Sequence, residues 1–244
     1  MKIEDSTVLL TGANGGIGRA FVDELLRRGV GRLYCGVRRL EGANLPDDPR
    51  IAALRLDVTD AASIAAAAAQ ASDTALLINN AGMAAYSGAF TAATLDAARQ
   101  EMEVNYFGPL QVCRAFRDTP VFSAAGAIIN VVSFLGLVTL PLAGTYSASK
   151  AAALALTRTM RAELKTKGTR VIAVLPVQTD TKLGAPLPDP KVRPGEVASE
   201  ALDALETGLD EVFPGLPSKR AAEAFRTDPA ALQAALAEMV YPLA

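Results

Sequence analysis

Short apolar segments alternate with longer segments of helical periodicity along most of this 244-residue chain. The two kinds of segment differ in spacing, because buried strands are short continuous apolar runs whereas helices repeat about every 3.6 residues. The predicted strands span residues 8–10, 33–37, 51–56, 75–78, 127–132 and 171–175. The predicted helices span residues 17–28, 61–71, 95–117, 146–166, 196–207 and 229–239. This alternation predicts an α/β fold with a single doubly wound parallel sheet and helices on both faces.

The chain offers no linker or repeat at which to divide it. Hydrophobic residues make up 50% of the sequence, which is enough for one sizeable core. We therefore expect one domain over residues 1–244. Within it we expect a short, proline-rich substrate-loop region at about 177–196 and a helical tail at about 213–244.

Composition excludes several classes of protein. The formal net charge is −2, so no basic field attracts nucleic acid or an acidic membrane surface. No apolar run is long enough to cross a bilayer, and the first residues lack the apolar stretch of a signal peptide. The two cysteines, Cys35 and Cys113, make no disulfide framework and are interpreted as small buried hydrophobes. We expect a cytoplasmic protein with no nucleic-acid or membrane partner.

The chain contains no histidine. This excludes Ser-His-Asp triads and His-ligated metal sites, and nothing near the cysteines has the spacing of a zinc motif. No metal site is expected. A catalytic base must therefore be a tyrosine, lysine, aspartate, glutamate or cysteine side chain.

A glycine-rich loop joins the first predicted strand to the first predicted helix. Its sequence is Thr11-Gly12-Ala13-Asn14-Gly15-Gly16-Ile17-Gly18. Glycines let the backbone turn tightly and approach a ligand, and the start of a helix presents free N–H groups and a positive dipole end to a pyrophosphate. An ordinary turn is the alternative, although the strand-loop-helix context favours phosphate binding.

The end of the second predicted strand bears on which dinucleotide would fit. NAD-selective sites usually place an acid there to hold the ribose 2′-hydroxyl, but this strand ends Gly36-Val37-Arg38-Arg39. A guanidinium can hold a 2′-phosphate through two hydrogen bonds. The pattern favours NADP(H), with Arg38 the better candidate, over the alternative that both arginines are merely solvated.

A tyrosine and a lysine lie one helical turn apart at the start of a long predicted helix. Tyr146 and Lys150 are four residues apart and therefore share one face. A neighbouring ammonium favours the phenolate and should lower the tyrosine pKa, so Tyr146 could exchange a proton with a substrate oxygen. Ser133 follows the fifth predicted strand and could hold the same oxygen. Alone, such pairs are weak signals, and a serine there is also an ordinary turn residue.

Taken together and in this order, the motifs resemble those of the short-chain dehydrogenase/reductase family. The resemblance covers almost the whole chain and rests on Thr11-Gly12-x-x-x-Gly16-Ile17-Gly18, Asp57-Val58, Asn79-Asn80-Ala81-Gly82, Asn105, Ser133 and Tyr146-x-x-x-Lys150. It implies a Rossmann fold and an NADP(H)-dependent alcohol dehydrogenase or carbonyl reductase. Such an enzyme interconverts a ketone or aldehyde and a secondary alcohol by hydride transfer. It also implies a homodimer or homotetramer.

The resemblance further implies a role for each matching residue. The catalytic residues would be Asn105, Ser133, Tyr146 and Lys150. Asn105 would kink its helix and bind a water leading to Lys150, which would also hold the nicotinamide ribose. Asp57 and Val58 would contact the adenine, and residues 79–82 would lie beneath the cofactor and steady the central strand. The cofactor-binding residues would be Gly12, Asn14, Gly16, Ile17, Gly18, Arg38, Arg39, Asp57, Val58, Asn79, Ala81, Gly82, Tyr146, Lys150, Pro176, Val177, Thr179 and Thr181.

One position departs from the family pattern. After the sixth predicted strand the family usually has Pro-Gly, whereas this chain has Pro176-Val177, with Thr179 and Thr181 following. A branched residue cannot adopt a positive φ cheaply. Either the loop takes another path or Val177 forms a wall of the nicotinamide pocket.

The predicted substrate pocket has an apolar rim. Its candidate residues are Met83, Ala84, Phe134, Leu135, Leu140, Leu142 and Leu183. We expect an uncharged, hydrophobic carbonyl or alcohol substrate, and the short cover suggests an open site that admits bulky ketones. Met239, Val240, Tyr241 and Leu243 either reach a neighbour's pocket or pack as an ordinary C-terminus. Two rival functions remain: an epimerase or dehydratase that retains its cofactor, and a non-catalytic nucleotide sensor.

Overall fold

A seven-stranded parallel sheet forms the centre of the computed structural model, which describes residues 1–92 and 94–239. The strands in the described residues are β1 (Thr7–Thr11), β2 (Arg32–Val37), β3 (Ile51–Arg55), β4 (Leu76–Asn79), β5 (Ala127–Val131), β6 (Arg170–Val174) and β7 (Glu211–Val212). Their order across the sheet is β3-β2-β1-β4-β5-β6-β7, and every neighbouring pair is parallel. The predicted doubly wound sheet is confirmed.

Helices cover both faces of this sheet. They are α1 (Gly16–Arg27), α2 (Ala61–Gln70), α3 (Asp96–Met102), α4 (Gly108–Ala115), α5 (Gly144–Leu164), α6 (Pro194–Thr207), α7 (Gly215–Thr227) and α8 (Pro229–Ala237). Alternate residues of β1 supply the two cores, because successive strand side chains point to opposite faces. Val8 packs in the core that contains Phe21 of α1, and Leu9 packs in the core that contains Phe116.

The long helix predicted over residues 95–117 is interrupted. A π-helical turn at Glu103–Phe107 separates α3 from α4. Pro109 has no N–H to donate to the carbonyl of Asn105, four residues earlier. The N–H of Gly108 bonds to the carbonyl of Glu103, five residues back, which is the π-helical pattern. Asn105 therefore lies in a widened turn whose side chains point differently from those of a regular helix.

The strand order reverses between β1 and β4, and loops at this edge of the sheet are bonded to one another. Thr11 Oγ1 accepts hydrogen bonds from the backbone N–H groups of Asn80 and Ala81, both at 3.0 Å. The Asn80 side chain donates to the carbonyls of Thr11 at 3.0 Å and Gly12 at 3.1 Å. Open parallel sheets bind ligands at such a switch point, outside the carboxyl ends of the strands.

Two elements of the C-terminal region were not predicted individually. β7 is only two residues long, and α7 begins with Gly215 and carries a proline in its first turn, so neither has a clear periodic signal. Both cysteines are buried, and burial raises the pKa of each thiol to about 12, in agreement with the prediction of inert core residues. Among the described residues, no helix has the length and apolarity required to cross a bilayer.

Candidate active site

A cavity of about 1680 Å³ opens at the carboxyl edge of the sheet. It brings together almost all of the residues predicted for the cofactor and for catalysis. Those that line it are Gly12, Asn14, Gly16, Ile17, Gly18, Arg38, Arg39, Asp57, Val58, Ala81, Gly82, Ser133, Tyr146, Lys150, Pro176, Val177, Thr179 and Thr181. Asn79 and Asn105 are the two predicted residues that do not line it.

The glycine-rich loop has the shape of an anion-binding turn. Gly12 has a φ of +66°, and a Cβ on Gly18 would lie 2.0 Å from the Gly12 carbonyl oxygen, so both positions need glycine. Helix α1 then starts at Gly16 with no side-chain cap and no acidic residue in its first turn. Its first N–H groups and positive dipole end are therefore available to a pyrophosphate.

The end of β2 presents basic side chains to the same cavity. Arg38 and Arg39 are exposed and line it. The nearby Asp57 carboxylate is already engaged, because Thr59 donates to it from its N–H at 3.0 Å and its hydroxyl at 2.7 Å. The Thr59 N–H bond lowers the Asp57 pKa most, and the charges of Arg38 and Arg55 lower it further. The cavity beside the end of β2 thus offers two guanidinium groups that suit a phosphate.

Helix α5 carries Tyr146 and Lys150 into the cavity on one face. The Lys150 Nζ lies 5.7 Å from the centre of the Tyr146 ring and donates to the Val131 carbonyl oxygen at 3.1 Å. The lysine is 5% exposed, and burial lowers its pKa to about 8. Lys150 therefore holds a fixed place beside the tyrosine at the end of β5.

Burial raises the Tyr146 pKa above its usual range, and the Ser133 hydroxyl acts in the opposite direction. The negative charges that Tyr86 and Glu101 can carry raise this pKa further. In the protein alone, the Tyr146 pKa is raised and not lowered as expected, because desolvation of the phenolate outweighs the groups that favour it. At neutral pH Tyr146 is a protonated phenol that can donate.

Ser133 lies two residues after the end of β5 and lines the cavity. Its Oγ accepts a hydrogen bond from the Leu135 N–H at 3.1 Å. This contact uses a lone pair of the oxygen and leaves the hydroxyl hydrogen available for another acceptor. Ser133 can therefore donate to an oxygen that lies next to Tyr146.

Asn105 lies behind the cavity wall and positions other groups. Its Nδ2 donates to the Met83 carbonyl and to Ser149 Oγ, both at 2.9 Å, and its Oδ1 accepts from the Met83 N–H at 3.0 Å. Ser149 Oγ in turn donates to the Tyr146 carbonyl at 2.7 Å. A Cβ on Gly82 would lie 3.3 Å from Asn105 Oδ1 and 3.6 Å from Lys150 Nζ, so the amide and the ammonium flank the same glycine.

Asn79, which was predicted to bind the cofactor and to steady the central strand, does not line the cavity. Its Nδ2 donates to Asn130 Oδ1 of the neighbouring strand β5 at 2.8 Å. Asn130 Nδ2 in turn donates to Thr157 Oγ1 of α5 at 2.9 Å. This chain of bonds joins β4 and β5 to the helix that carries Tyr146. Asn80 faces the cavity instead, because successive residues of an extended chain point to opposite sides.

The segment after β6 contacts both the tail and the glycine-rich loop. Val177 lines the cavity, its φ is not positive, and its N–H donates to Ser218 Oγ of α7 at 3.1 Å. Valine is therefore tolerated where the family pattern has glycine, and it forms a wall. Thr181 packs so closely on the glycine-rich loop that a Cβ on Gly16 would lie 2.5 Å from its Cγ2.

The apolar rim is only partly as predicted. Met83, Phe134, Leu135, Leu140 and Leu183 line the cavity, whereas Ala84 and Leu142 do not. Helices α7 and α8 add a second apolar wall that no local motif indicated, formed by Leu216, Pro217, Ala221, Leu232 and Leu236.

Further rim residues also lacked a sequence signal. Tyr86 and the charged residues Lys182 and Arg220 line the cavity. Of the tail residues considered above, Met239 lines it, whereas Val240, Tyr241 and Leu243 lie outside the described residues.

Comparison with known proteins gives a consistent assignment. Residues 6–191 match the family described as short chain dehydrogenase. A crystal structure of a short chain dehydrogenase from Burkholderia cenocepacia in complex with NADP is 42% identical, covers 99% of this chain and 100% of its own, and has a TM-score of 0.91. The NADPH-bound carbonyl reductase from chicken fatty liver is 30% identical, with 83% of this chain and 91% of that chain covered and a TM-score of 0.75.

A curated relative from a fungus matches a smaller share of its own length. A short-chain dehydrogenase from Penicillium crustosum is 37% identical over 185 residues, which are 71% of this chain and 65% of the relative. The chain spans 60% to 65% of the first curated relatives that it matches. The matched residues, the parallel sheet and the cavity at its carboxyl edge agree, and the chain belongs to the short-chain dehydrogenase family.

Proposed function

We propose that this protein is an NADP(H)-dependent oxidoreductase that interconverts a carbonyl compound and a secondary alcohol, with Tyr146 as the group that transfers the proton. The observation that carries the proposal is the meeting of Tyr146, Lys150 and Ser133 in the cavity that begins at the glycine-rich loop. The NADP complex of the Burkholderia relative and the NADPH complex of the chicken carbonyl reductase support it.

The residues of the cavity fit the parts of NADP(H). The glycine-rich loop and the first N–H groups of α1 suit the pyrophosphate, and Arg38 suits the 2′-phosphate. Val58 suits the adenine, and Lys150 suits the nicotinamide ribose. Thr179 and Thr181, in the segment after β6, also line the cavity and suit the carboxamide of the nicotinamide. When bound, NADPH would supply the hydride.

The remaining chemistry belongs to the side chains of this protein. In the direction of reduction, the phenol of Tyr146 donates its proton to the substrate oxygen as that oxygen gains negative charge. The Ser133 hydroxyl, whose hydrogen is available, donates a hydrogen bond to the same oxygen. Lys150 lies against the tyrosine ring and stabilises the phenolate that remains.

The substrate we propose is uncharged near its reacting carbon. The cavity lining includes the apolar side chains of Phe134, Leu135 and Leu140, and Leu232 and Leu236 of α8 pack against the cluster that contains Phe134. Apolar walls with a few convergent polar groups are typical of sites for hydrophobic small molecules. Lys182 and Arg220 add charges to the lining, so a charged group on the substrate would have to lie beside them.

The first test is to follow the oxidation of NADPH and of NADH by absorbance over a panel of aliphatic, aryl and bulky bicyclic ketones. Turnover with NADPH in preference to NADH supports the proposal. Tight NADPH binding with no turnover of any ketone would contradict it. That outcome would favour an enzyme that retains its cofactor, or a nucleotide sensor.

A further inference from the structure

The segment of residues 83–88, which follows β4, is fixed by side chains from three other elements: the π-helical turn, α3 and α5. Met83, its first residue, bonds to the Asn105 side chain through both its N–H and its carbonyl. The Ala85 N–H donates to Glu101 Oε1 of α3 at 2.8 Å. The Ser87 carbonyl accepts from the hydroxyl of Thr145, which immediately precedes Tyr146, at 3.3 Å. The segment is thus held in one position beside the start of α5.

Tyr86 is the residue that this segment presents to the cavity. Its φ of +51° is in the left-handed region, which a bulky side chain rarely adopts and which therefore needs support from its surroundings. The ring lines the cavity, and its hydroxyl donates to the carbonyl oxygen of Leu183, in the segment after β6. Tyr86 therefore bridges the two segments on either side of the reaction centre.

The strained backbone at Tyr86 is supported by the buried carboxylate of Glu101. Glu101 is 0% exposed, and its Oε2 has no hydrogen-bond partner among the described residues. A buried carboxylate is costly unless it is bonded, so its presence calls for a compensating role. Its other oxygen binds the N–H of Ala85, the residue before Tyr86, and so holds the strained turn.

We propose that Tyr86 determines substrate size: its ring, held through the bond of Glu101 to Ala85 and through its own bond to Leu183, limits which carbonyl compounds reach Tyr146. The inference rests on the proposed carbonyl chemistry and adds to it. The Tyr86 ring favours a ketone with one small substituent over a ketone with two large ones. This residue is outside the cofactor end of the cavity, so its replacement leaves NADPH binding unchanged.

The test compares a matched pair of ketones, 4-hydroxyacetophenone and 4-hydroxybenzophenone, which differ by a methyl against a phenyl substituent. We expect Tyr86→Ala to raise the ratio of kcat/KM for the larger ketone over the smaller by about 10-fold or more, since a pocket contact of this size discriminates at that level. Tyr86→Phe keeps the ring but loses the bond to Leu183, and should raise the ratio by about threefold. The NADPH dissociation constant should stay the same in both variants.

Phe90→Ala is the control, because Phe90 is an aromatic residue of the same connection, is 89% exposed and does not line the cavity. Its ratio should equal that of the wild type. An unchanged ratio in Tyr86→Ala, or an equal change in Phe90→Ala, would overturn the inference.

A binding measurement separates this inference from the proposed function. Calorimetry with NADP⁺ present, where ketones cannot be reduced, should give a dissociation constant for 4-hydroxybenzophenone about 10-fold lower in Tyr86→Ala than in the wild type. If no ketone is turned over but this difference appears, the proposed reaction fails and the size limit stands. If binding is the same in both proteins, the size limit fails.

Discussion

Tyr146 has an environment that favours the protonated phenol. Burial raises its pKa, and Ser133 offsets only part of that effect. A phenol that keeps its proton at neutral pH is prepared to donate to a carbonyl oxygen, whereas oxidation of an alcohol first needs the phenolate. In the reaction that we propose, a protonated Tyr146 suits the direction of reduction.

Replacement of Tyr146 by phenylalanine tests this role. The ring and its packing remain, but no proton can be donated, so we expect kcat to fall by about 10²- to 10⁴-fold. NADPH should still bind, which fluorescence titration would measure. A variant that retains more than a few per cent of the activity would refute the proton-transfer role.

Arg38 is the residue that we propose to hold the 2′-phosphate of NADPH. Arg38→Ala should weaken NADPH binding by about 10- to 100-fold, the usual worth of a hydrogen bond to a charged group, and should hardly change NADH binding. Dissociation constants for both nucleotides would be measured by titration. Arg39→Ala is the matched comparison, and a larger effect there would transfer the role to Arg39.

The π-helical turn that contains Asn105 has a local cause and a remote effect. Pro109 denies the helix one N–H, the turn widens, and the asparagine side chain then reaches the segment after β4 as well as Ser149 of α5. Such turns are frequent at functional sites. Here the turn joins the segment after β4 to α5, the helix that carries Tyr146.

Pro109→Ala restores the missing donor and should favour a regular helix. We expect the thermal midpoint to be equal or higher, because alanine is the better helix former by about 3 kcal/mol in a helix interior. The kcat should nevertheless fall by about 10-fold as Asn105 leaves its position. Circular dichroism melts and initial rates would measure the two effects. Unchanged kcat would mean that the turn does not depend on the proline.

The regular elements could be predicted because their signals are local. Helix α1 begins and ends within one residue of the predicted bounds, since the glycine-rich loop precedes it and Gly29 follows it. The interruption at Glu103–Phe107 was not predicted as a π turn, because the apolar spacing continues through it. Strand β7 was missed because two residues carry no periodicity.

At the scale of the whole molecule, the residues proposed for the cofactor and part of the apolar rim were predictable, whereas the lining supplied by α7 and α8 was not. The cofactor residues lie in short motifs at strand ends, where sequence order determines position. Helices α7 and α8 supply apolar side chains to the lining. Helix α8 is fixed by the amide of Gln233, which accepts from the Thr139 N–H at 2.8 Å and donates to the Thr139 carbonyl at 3.0 Å. Contacts between residues so far apart in sequence leave no local pattern.

The buried Lys150 makes the stability of the fold depend on pH. Its pKa of about 8 in the folded protein is below its ordinary value of 10.5. Between these values the unfolded chain binds a proton that the folded chain does not, so this group makes the free energy of unfolding rise with pH. Below pH 8 both states are protonated, and the cost of the buried charge is fully present.

Lys150→Met should remove this dependence. From pH 8 to pH 10, the wild type should gain on the order of 2 kcal/mol of unfolding free energy relative to the variant. Urea unfolding at several pH values without nucleotide would measure the difference, with Lys2→Met as a control outside the sheet. Parallel profiles for the wild type and Lys150→Met would show that the lysine is not desolvated in solution.

The contact between Gly16 and Thr181 has a consequence for how this sequence can evolve. A side chain at position 16 would occupy the space of the Thr181 methyl group, 2.5 Å from an added Cβ. Position 16 therefore cannot accept a side chain unless position 181 also changes, although 165 positions separate them in the chain. A relative with alanine at position 16 should carry glycine or a retracted backbone at position 181, so the two columns of a family alignment should covary. Gly16, in the loop proposed to bind phosphate, should therefore be inherited together with the segment after β6 that contains Thr181.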